Sequence, residues 1–275
     1  MSSAHSLSQI KPIFKNYMQF VGVVILAFCF GLNVCEAKEN KNIKLEYIAH
    51  ASFRIHSPSG HKIIIDPYAD HYWLGYNFPK GLEANAIFIT HAHFDHDGGI
   101  SLGREFPFPP SVPIYRDPVK VKIGDLTATG ISYVHSGTGK DGKKLSNTLW
   151  IFEYSGIRIV HLGDNEPLTL KKIRELGRID VLLIRRSGPD DSIYKTEIDI
   201  IKKEMNPKII IPMHYRHPDL ELNENSPKGL NEIESWLVDQ SDVKYQTSHQ
   251  ISLNKKSLPN KTEIWVLPHA PYVTN

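Results

Sequence analysis

Cysteine is almost absent from this chain. Its 275 residues include two, Cys29 and Cys35, both near the N-terminus. The body of the protein therefore has no disulfide framework and no thiolate to ligate a metal. An excess of charge of one sign is also missing. The formal net charge is +2, and Lys and Arg are scattered rather than gathered in a stripe. Charge thus gives no support for a nucleic-acid partner, and none is expected. No repeat and no low-complexity linker interrupts the chain. The one long apolar run, Phe20 to Val34, is short for a membrane span. What remains is ordinary globular composition, 41% hydrophobic and 23% charged, with length for one large core or two modest ones.

That apolar run has the length of a signal-peptide core. Lys11 and Lys15 precede it, and "CEA" follows with Ala37 closing a small-x-small site. The pattern predicts a signal peptide over residues 1–37, cleaved after Ala37. Residues 38–275 would then form one exported domain, periplasmic or extracellular, with no membrane span. Retention of the segment would leave the protein membrane-anchored. Acylation at Cys35 is a further alternative, although "LNV" is a poor match to the small residues expected before such a cysteine. Oligomeric state is not legible.

From Ile43 the chain reads as short strands. "IKLEYI" and "SFRIHS" alternate, and Pro58 and Gly60 turn the chain into "HKIIID". "AIFI", "VPIYR", "VKVKI", "LTATGISYVH", "SNTLWIFEY", "SGIRIVHLGD" and "IDVLLI" continue the series, and "ISLNK" and "TEIWVL" end it. Helices are predicted in "NEPLTLKKIREL", with Asn165 as N-cap, in "TEIDIIKKEM", stopped by Asn206-Pro207, and in "PKGLNEIESWLVDQ". Strands with intervening helices in two similar halves predict an α/β fold, a four-layer sandwich of helix, sheet, sheet and helix.

Histidine is plentiful, and its placement matters. "THAHFDHDGG", Thr90 to Gly99, crowds three histidines and two aspartates behind an apolar strand. Residues two apart in a strand share a face, so His91 and His93 project together. Asp95 and His96 follow where the chain must leave the strand. Gly98 and Gly99 permit a sharp turn towards a following helix. Imidazole and carboxylate suit a borderline divalent ion such as zinc, and manganese and iron share that preference. His135, Asp164 and His214 each follow an apolar strand and precede a loop. Ligands from those strand ends can meet at one edge.

The arrangement resembles the metallo-β-lactamase superfamily over nearly all of the chain after residue 42. The family's His-x-His-x-Asp-His motif stands here as His91, His93, Asp95 and His96. Its later His, Asp and His correspond to His135, Asp164 and His214. "HASFRI…HKIIIDP" and "NPKIIIPMHY" look most like the branch that holds the ascorbate-phosphate lactonase and uncharacterised metal-dependent hydrolases. The resemblance implies two divalent metal ions. His91, His93 and His135 would hold one, Asp95, His96 and His214 the other, and Asp164 would bridge them. Two ions about 3.5–4 Å apart can share a water and lower its pKa towards neutrality. Asp95 would orient the resulting hydroxide and count as catalytic. The expected substrate is a small ester, lactone or phosphodiester. A β-lactam is an enzyme alternative, and a non-catalytic metal- or partner-binding domain is an alternative of another class.

Other residues carry two readings each. His50 is a candidate to support the ligands, or a satisfied histidine at a strand end. Asp66 could orient a ligand imidazole, although Pro67 favours a turn cap. His161 is expected to point away from Asp164. Arg185 and Arg186 stand where relatives in this branch commonly carry Pro and an aliphatic residue, before a Gly pair. Strand alternation lets one of the two face a pocket easily and bind an anionic substrate; a surface pair with Asp190 or Asp191 is the alternative. Tyr72, Trp73 and Tyr76 could wall that pocket, and His217 could line its rim. His249 and His269 have no partner identifiable from the sequence.

Overall fold

A computed structural model of the chain describes residues 42–275, apart from 70–73, 76, 140, 187–190, 219–229, 239 and 274–275, and apart from the side chains of 191–195. Residues 1–37, where a signal peptide is expected, fall outside the described residues, and with them Cys29 and Cys35. So do Tyr72, Trp73, Tyr76 and Asp190, and the side chain of Asp191.

Alternation of apolar and polar residues builds the first sheet. In β1 (Ile43–Ala49), Leu45 and Tyr47 turn into the core while Lys44 faces water. β2 (Ser52–His56) and β3 (Lys62–Ile65) form the expected hairpin, and Gly60 takes φ +90° at its turn. β4 (Ala86–Phe88) then runs parallel to β3, with β5 (Ile114–Tyr115) outside it. β13 (Gln250–Leu253) completes the order β13-β1-β2-β3-β4-β5.

The second sheet has eight strands. β6 (Lys120–Ile123), β7 (Leu126–Thr138), β8 (Lys144–Tyr154) and β9 (Ile157–His161) form an antiparallel meander. β10 (Val181–Arg185), β11 (Ile209–Met213), β14 (Glu263–Val266) and β12 (Val243–Tyr245) then add in parallel. β10 and β11 are buried along their whole length, as parallel strands covered on both faces must be.

Inner faces of the two sheets meet in a core that includes Phe53, Phe88, Trp150 and Phe152. Among the described residues, three helices pack on the outer face of the eight-stranded sheet. They are α1 (Leu170–Leu176), α2 (Asp191–Glu204) and α3 (Glu234–Leu237), joined to it through Ile173, Ile198 and Trp236. The α/β sandwich holds, with one difference. Among the described residues the six-stranded sheet is covered by loop residues such as Tyr68, Phe78 and Phe108, and a single 3-10 turn at Ile100–Leu102 replaces the expected helix after Gly99. The N-cap of α1 is Thr169, whose hydroxyl accepts from the Lys172 amide, not Asn165. Asn165 instead donates to the Glu166 carbonyl and to Glu197.

Topology decides where the polar residues go. β3 and β4 are parallel, and so are β9, β10 and β11. Parallel neighbours end on the same side, and the carboxyl ends of such strands are where α/β proteins place their ligands. Asp66 follows β3, His91 lies just beyond β4, Asp164 follows β9, Arg185 ends β10 and His214 follows β11.

Candidate metal centre

The THAHFDHDGG segment is tied down before its first histidine. Ile89 receives a hydrogen bond from the Trp150 indole at 3.0 Å, and the Thr90 carbonyl accepts from the Thr148 amide at 2.7 Å. Both donors lie on β8, so the opposite sheet anchors the segment. A turn follows in which the His96 and Asp97 amides both bond to the His93 carbonyl at 2.8 Å. Asp97 then accepts from the Gly99 and Ser101 amides and so ties down the start of the 3-10 turn, whose N-cap residue is Gly99.

Eight side chains converge, and their donor atoms fall into overlapping groups. His91, His93 and His135 form one. His96, Asp95 and His214, joined by His50, form a second. His91, His96 and Asp164 form a third that lies across the first two. Asp164 spans them: Oδ1 is 3.5 Å from His96 Nε2, while Oδ2 is 3.2 Å from His214 Nε2 and 3.9 Å from His135 Nε2. Asp95 Oδ2 lies 3.4 Å from His214 Nε2 and 3.6 Å from His96 Nε2. His91, His93 and His135 thus stand together, Asp95, His96 and His214 stand together, and Asp164 is within reach of both groups.

Hydrogen bonds behind the imidazoles set their tautomers. His96 Nδ1 meets the Asp66 carboxylate at 2.7 Å. The carboxylate accepts, so Nδ1 donates and Nε2 is the atom turned towards the cluster, where it can offer a lone pair to an ion once its own proton leaves. Thr90 does the same for His91 one step removed. Its hydroxyl donates to Asp66 at 2.7 Å, so it must accept from His91 Nδ1 at 3.0 Å. That leaves His91 Nε2 bare, 3.1 Å from His93 Nδ1. Asp66 is thus an organiser of two imidazoles and not a turn cap; it is fully buried at φ +46°. His135 Nδ1 accepts from the Gly137 amide at 2.8 Å, a contact that has to lengthen if Nε2 is to offer a lone pair.

His50 reaches the site. Its Nε2 lies 3.0 Å from Asp95 Oδ2, its ring centroid is 4.0 Å from that of His214, and its carbonyl accepts the His214 amide at 2.9 Å. His50 and His214 take φ +56° and +58°. With Asp66, that makes three non-glycine residues in the left-handed region at one place. Such strain persists where surrounding contacts impose it, and it clusters at functional sites.

The two groups differ in charge. Burial depresses His91 well below the usual imidazole range and brings His135 down to about 4, so both are neutral. His50 is also depressed to about 4, by burial and then by the charge on His214, against the pull of Asp95. In the second group burial opposes charge, but the carboxylates win. Asp164, Asp95 and Asp66 hold His96 up at about 10, and His214 is raised for the same reason. Asp95 and Asp164 sit well below the usual carboxylate range, since their histidine neighbours outweigh the cost of burial. Without a metal, protons on His96 and His214 balance the carboxylates.

The donor set suits divalent cations. His96 Nε2, His135 Nε2 and Asp164 Oδ1 are buried without a hydrogen-bond partner among the described residues. Buried polar atoms normally have partners, so this convergence of bare donors points to an ion. Two nitrogens at zinc bond lengths of about 2.0–2.1 Å in a tetrahedron lie about 3.3 Å apart, close to the spacing between His91 and His93.

The remaining candidates separate. Arg185 Nη1 lies 3.8 Å from Asp164 Oδ2. Arg186 is fully buried and turns the other way, to the Ser235 hydroxyl on α3. Of the two, Arg185 alone faces the cluster, as strand alternation requires. His217 stacks edge-on against His269, with centroids 4.2 Å apart, and the pair does not enter the metal groups. His249 lies 3.6 Å from Glu46. His161 lies behind the ligands: its Nε2 donates to the Ala51 carbonyl at 2.9 Å, and its Nδ1 accepts from the Gly163 amide at 3.1 Å and is 3.9 Å from Asp66 Oδ2. The roles of Thr90, Asp97 and Glu197 were not visible in the sequence. An Asp before a Gly pair was the one available signal, and it marks the turn that Asp97 ties down.

Known proteins are similar to this chain. A UPF0173 metal-dependent hydrolase of Nanoarchaeum equitans is 28% identical over 197 residues, spanning 63% of this chain and 84% of its own. One from Thermococcus onnurineus is 27% identical over 199 residues, again with 63% and 84% covered. Among solved structures, a candidate Zn-dependent hydrolase of the metallo-β-lactamase superfamily from Thermotoga maritima shares the fold with a TM-score of 0.59 and 24% identity, covering 83% of this chain and all of its own. Residues 44–214 match the family described as the beta-lactamase superfamily domain, and the chain belongs to that family.

Proposed function

We propose that this protein is an exported binuclear metal-dependent hydrolase acting on a small ester, lactone or phosphodiester. The observation that carries the reading is the convergence of His91, His93 and His135 beside Asp95, His96 and His214, with Asp164 between them. Membership of the family and the names of the relatives, which are metal-dependent hydrolases, support it.

In this reading the first three histidines would hold one ion and Asp95, His96 and His214 the other, and Asp164 would serve both. Divalent ions there, zinc foremost and manganese or iron by the same donors, would supply Lewis acidity and a water acidic enough to attack near neutral pH. The chain's own residues do the rest. Asp66 and Thr90 keep Nε2 of His96 and of His91 turned inward. His50 and His214 hold Asp95 through Oδ2, where it can orient the attacking water and take its proton. His96 and His214 carry protons in the metal-free site and would give them up to ligate an ion, so binding would release protons and strengthen as pH rises. Export rests on the apolar run and "CEA" at Ala37.

Metal content per chain tests the centre. Purified protein and Asp164→Ala are compared, and both are assayed on esters, lactones, phosphodiesters and a β-lactam. Two metals in the wild type, fewer in the variant and loss of turnover with them are expected. One metal or none in the wild type with no turnover would overturn the reading and favour a binding domain. Turnover of the β-lactam alone would move the substrate assignment.

A further inference from the structure

β8 meets three arms of the metal centre. The Thr148 amide donates to the Thr90 carbonyl at 2.7 Å and the Trp150 indole to the Ile89 carbonyl, which places the arm that carries His91. Tyr133 and Val134 of β7 pair with Asn147 and Ser146, and the register shifts just past them, where His135 stands. Asp164 follows β9, but the pairing of β8 with β9 ends at Trp150 and His161. That ladder stops short of Asp164.

The Asn147 side chain carries the connection on. Its Nδ2 donates to the Leu162 carbonyl at 2.8 Å, and its Oδ1 accepts from the Asp164 amide at 3.2 Å. A carbonyl only accepts and an amide N–H only donates, so these partners fix which way round the carboxamide sits. One side chain therefore holds both sides of the turn at Gly163. Asn147 is buried, and so are the five residues that follow it on β8. A carboxamide in such a place costs free energy unless both its ends are paired, and a leucine would fill the volume without that demand. The turn is shaped to it. Gly163 takes φ +59°, and a Cβ there would lie 2.4 Å from Asn147 Oδ1 and 2.7 Å from Thr90 Cβ. Asn147 and Gly163 thus close on Thr90, between the arm of His91 and the arm of Asp164.

We propose that Asn147 is a positioning residue of the metal centre, which sets Asp164 at the distance from the His91 arm that lets its carboxylate serve both groups. It acts through the backbone of Leu162 and Asp164 rather than through a ligand atom. The proposal rests on the reading of Asp164 as a shared metal ligand.

The test titrates zinc by calorimetry into metal-free wild type, Asn147→Leu, Asp164→Ala and the double variant, and records the visible spectrum of each with cobalt in place of zinc. Asn147→Leu should lower zinc affinity about 10- to 100-fold. The double variant should bind zinc no more weakly than Asp164→Ala, since both changes break one connection. The cobalt bands report coordination geometry, and in Asn147→Leu they should move towards those of Asp164→Ala. A side chain that only supports the fold would lower stability and leave the cobalt spectrum unchanged. Wild-type zinc affinity in Asn147→Leu, a wild-type cobalt spectrum in it, or losses that add in the double variant each overturn the proposal. Should Asn147→Leu fail to fold, Asn147→Ser, too short to hold both sides of the turn, takes its place under the same outcomes. If the wild type binds one zinc instead of two, the binuclear reading falls, and the same cycle judges Asn147 on that one ion. If it binds two and hydrolyses neither 4-nitrophenyl acetate nor bis(4-nitrophenyl) phosphate, the hydrolase reading is what falls, while the zinc titrations still decide on Asn147. A wild type that binds no zinc overturns both.

Discussion

Asp66 accepts a hydrogen bond from His96 Nδ1 at 2.7 Å, and neither side chain has any solvent exposure. The same carboxylate takes the Thr90 amide at 2.8 Å and the Thr90 hydroxyl at 2.7 Å. One buried aspartate therefore fixes the tautomers of an imidazole in each candidate metal group. Replacing Asp66 by Ala should lower metal affinity about 10–100-fold, the usual effect of losing the group behind a ligand. It should also cost roughly 2–4 kcal/mol of stability, because the buried donors of Thr90 and His96 lose their acceptor. Metal titration and urea unfolding check both. Unchanged metal affinity would show that the Asp66 contact has no influence on the ligands.

Thr90 passes the influence of Asp66 to His91. Thr90→Val keeps the shape and removes the hydroxyl, so it should weaken metal binding less than Asp66→Ala does. The double variant should be little worse than Asp66→Ala alone, since both break one chain of contacts. Additive losses in a double-mutant cycle would disprove a relay through Thr90.

Gly163 shows why a backbone position matters as much as a ligand. It sits beside Asp164 at φ +59°, and a Cβ there would come 2.4 Å from Asn147 Oδ1 and 2.7 Å from Thr90 Cβ. Gly163→Ala should cost about 2–4 kcal/mol through strain and collision, and it should reduce metal content. Gly142, at φ +74° with nothing within 4 Å, is the control. Gly142→Ala should cost only about 1 kcal/mol and leave the metal in place. Equal thermal shifts in the two variants would refute the collision argument.

Away from the metal centre, Glu46 holds β1, β2 and the C-terminal segment together. It accepts from Arg54 Nε at 2.7 Å and pairs with His56 Nε2 at 2.9 Å, and the Tyr272 hydroxyl also donates to it. Burial alone would raise its pKa, but His56, Arg54 and Tyr272 outweigh burial and bring it from 4.5 down to about 2. A depressed carboxylate contributes stability above its unfolded pKa and loses it as pH falls through the folded one. The stability gap between wild type and Glu46→Gln should therefore be full above about pH 4.5, on the order of 2–3 kcal/mol, and should close towards pH 2. A gap that does not change with pH in denaturant titrations would contradict this.

Much of the protein was decided by sequence alone. Period-2 alternation located the strands, and the hairpin at Pro58 and Gly60 followed from turn chemistry. The motif His91, His93, Asp95 and His96, with His135, Asp164 and His214 at later strand ends, named the side chains that converge. Those signals are local, because a strand and its terminus are written in neighbouring residues. Tertiary structure decided what acts across the chain. Asp66 is 30 residues from His96, and His50 is 45 from Asp95. Neither distance in sequence says whether the two meet. Pro67 made a turn cap the simpler expectation for Asp66, but the parallel pairing of β3 with β4 sends its carboxylate inward, under the motif. The same holds for Arg185 and Arg186. Composition shows two adjacent cations, and only the order β9-β10-β11 puts one beside Asp164 and turns the other to Ser235 on α3. Residue type set which chemistry was available, and the crossing of parallel strand ends from two sheets set which residues share it.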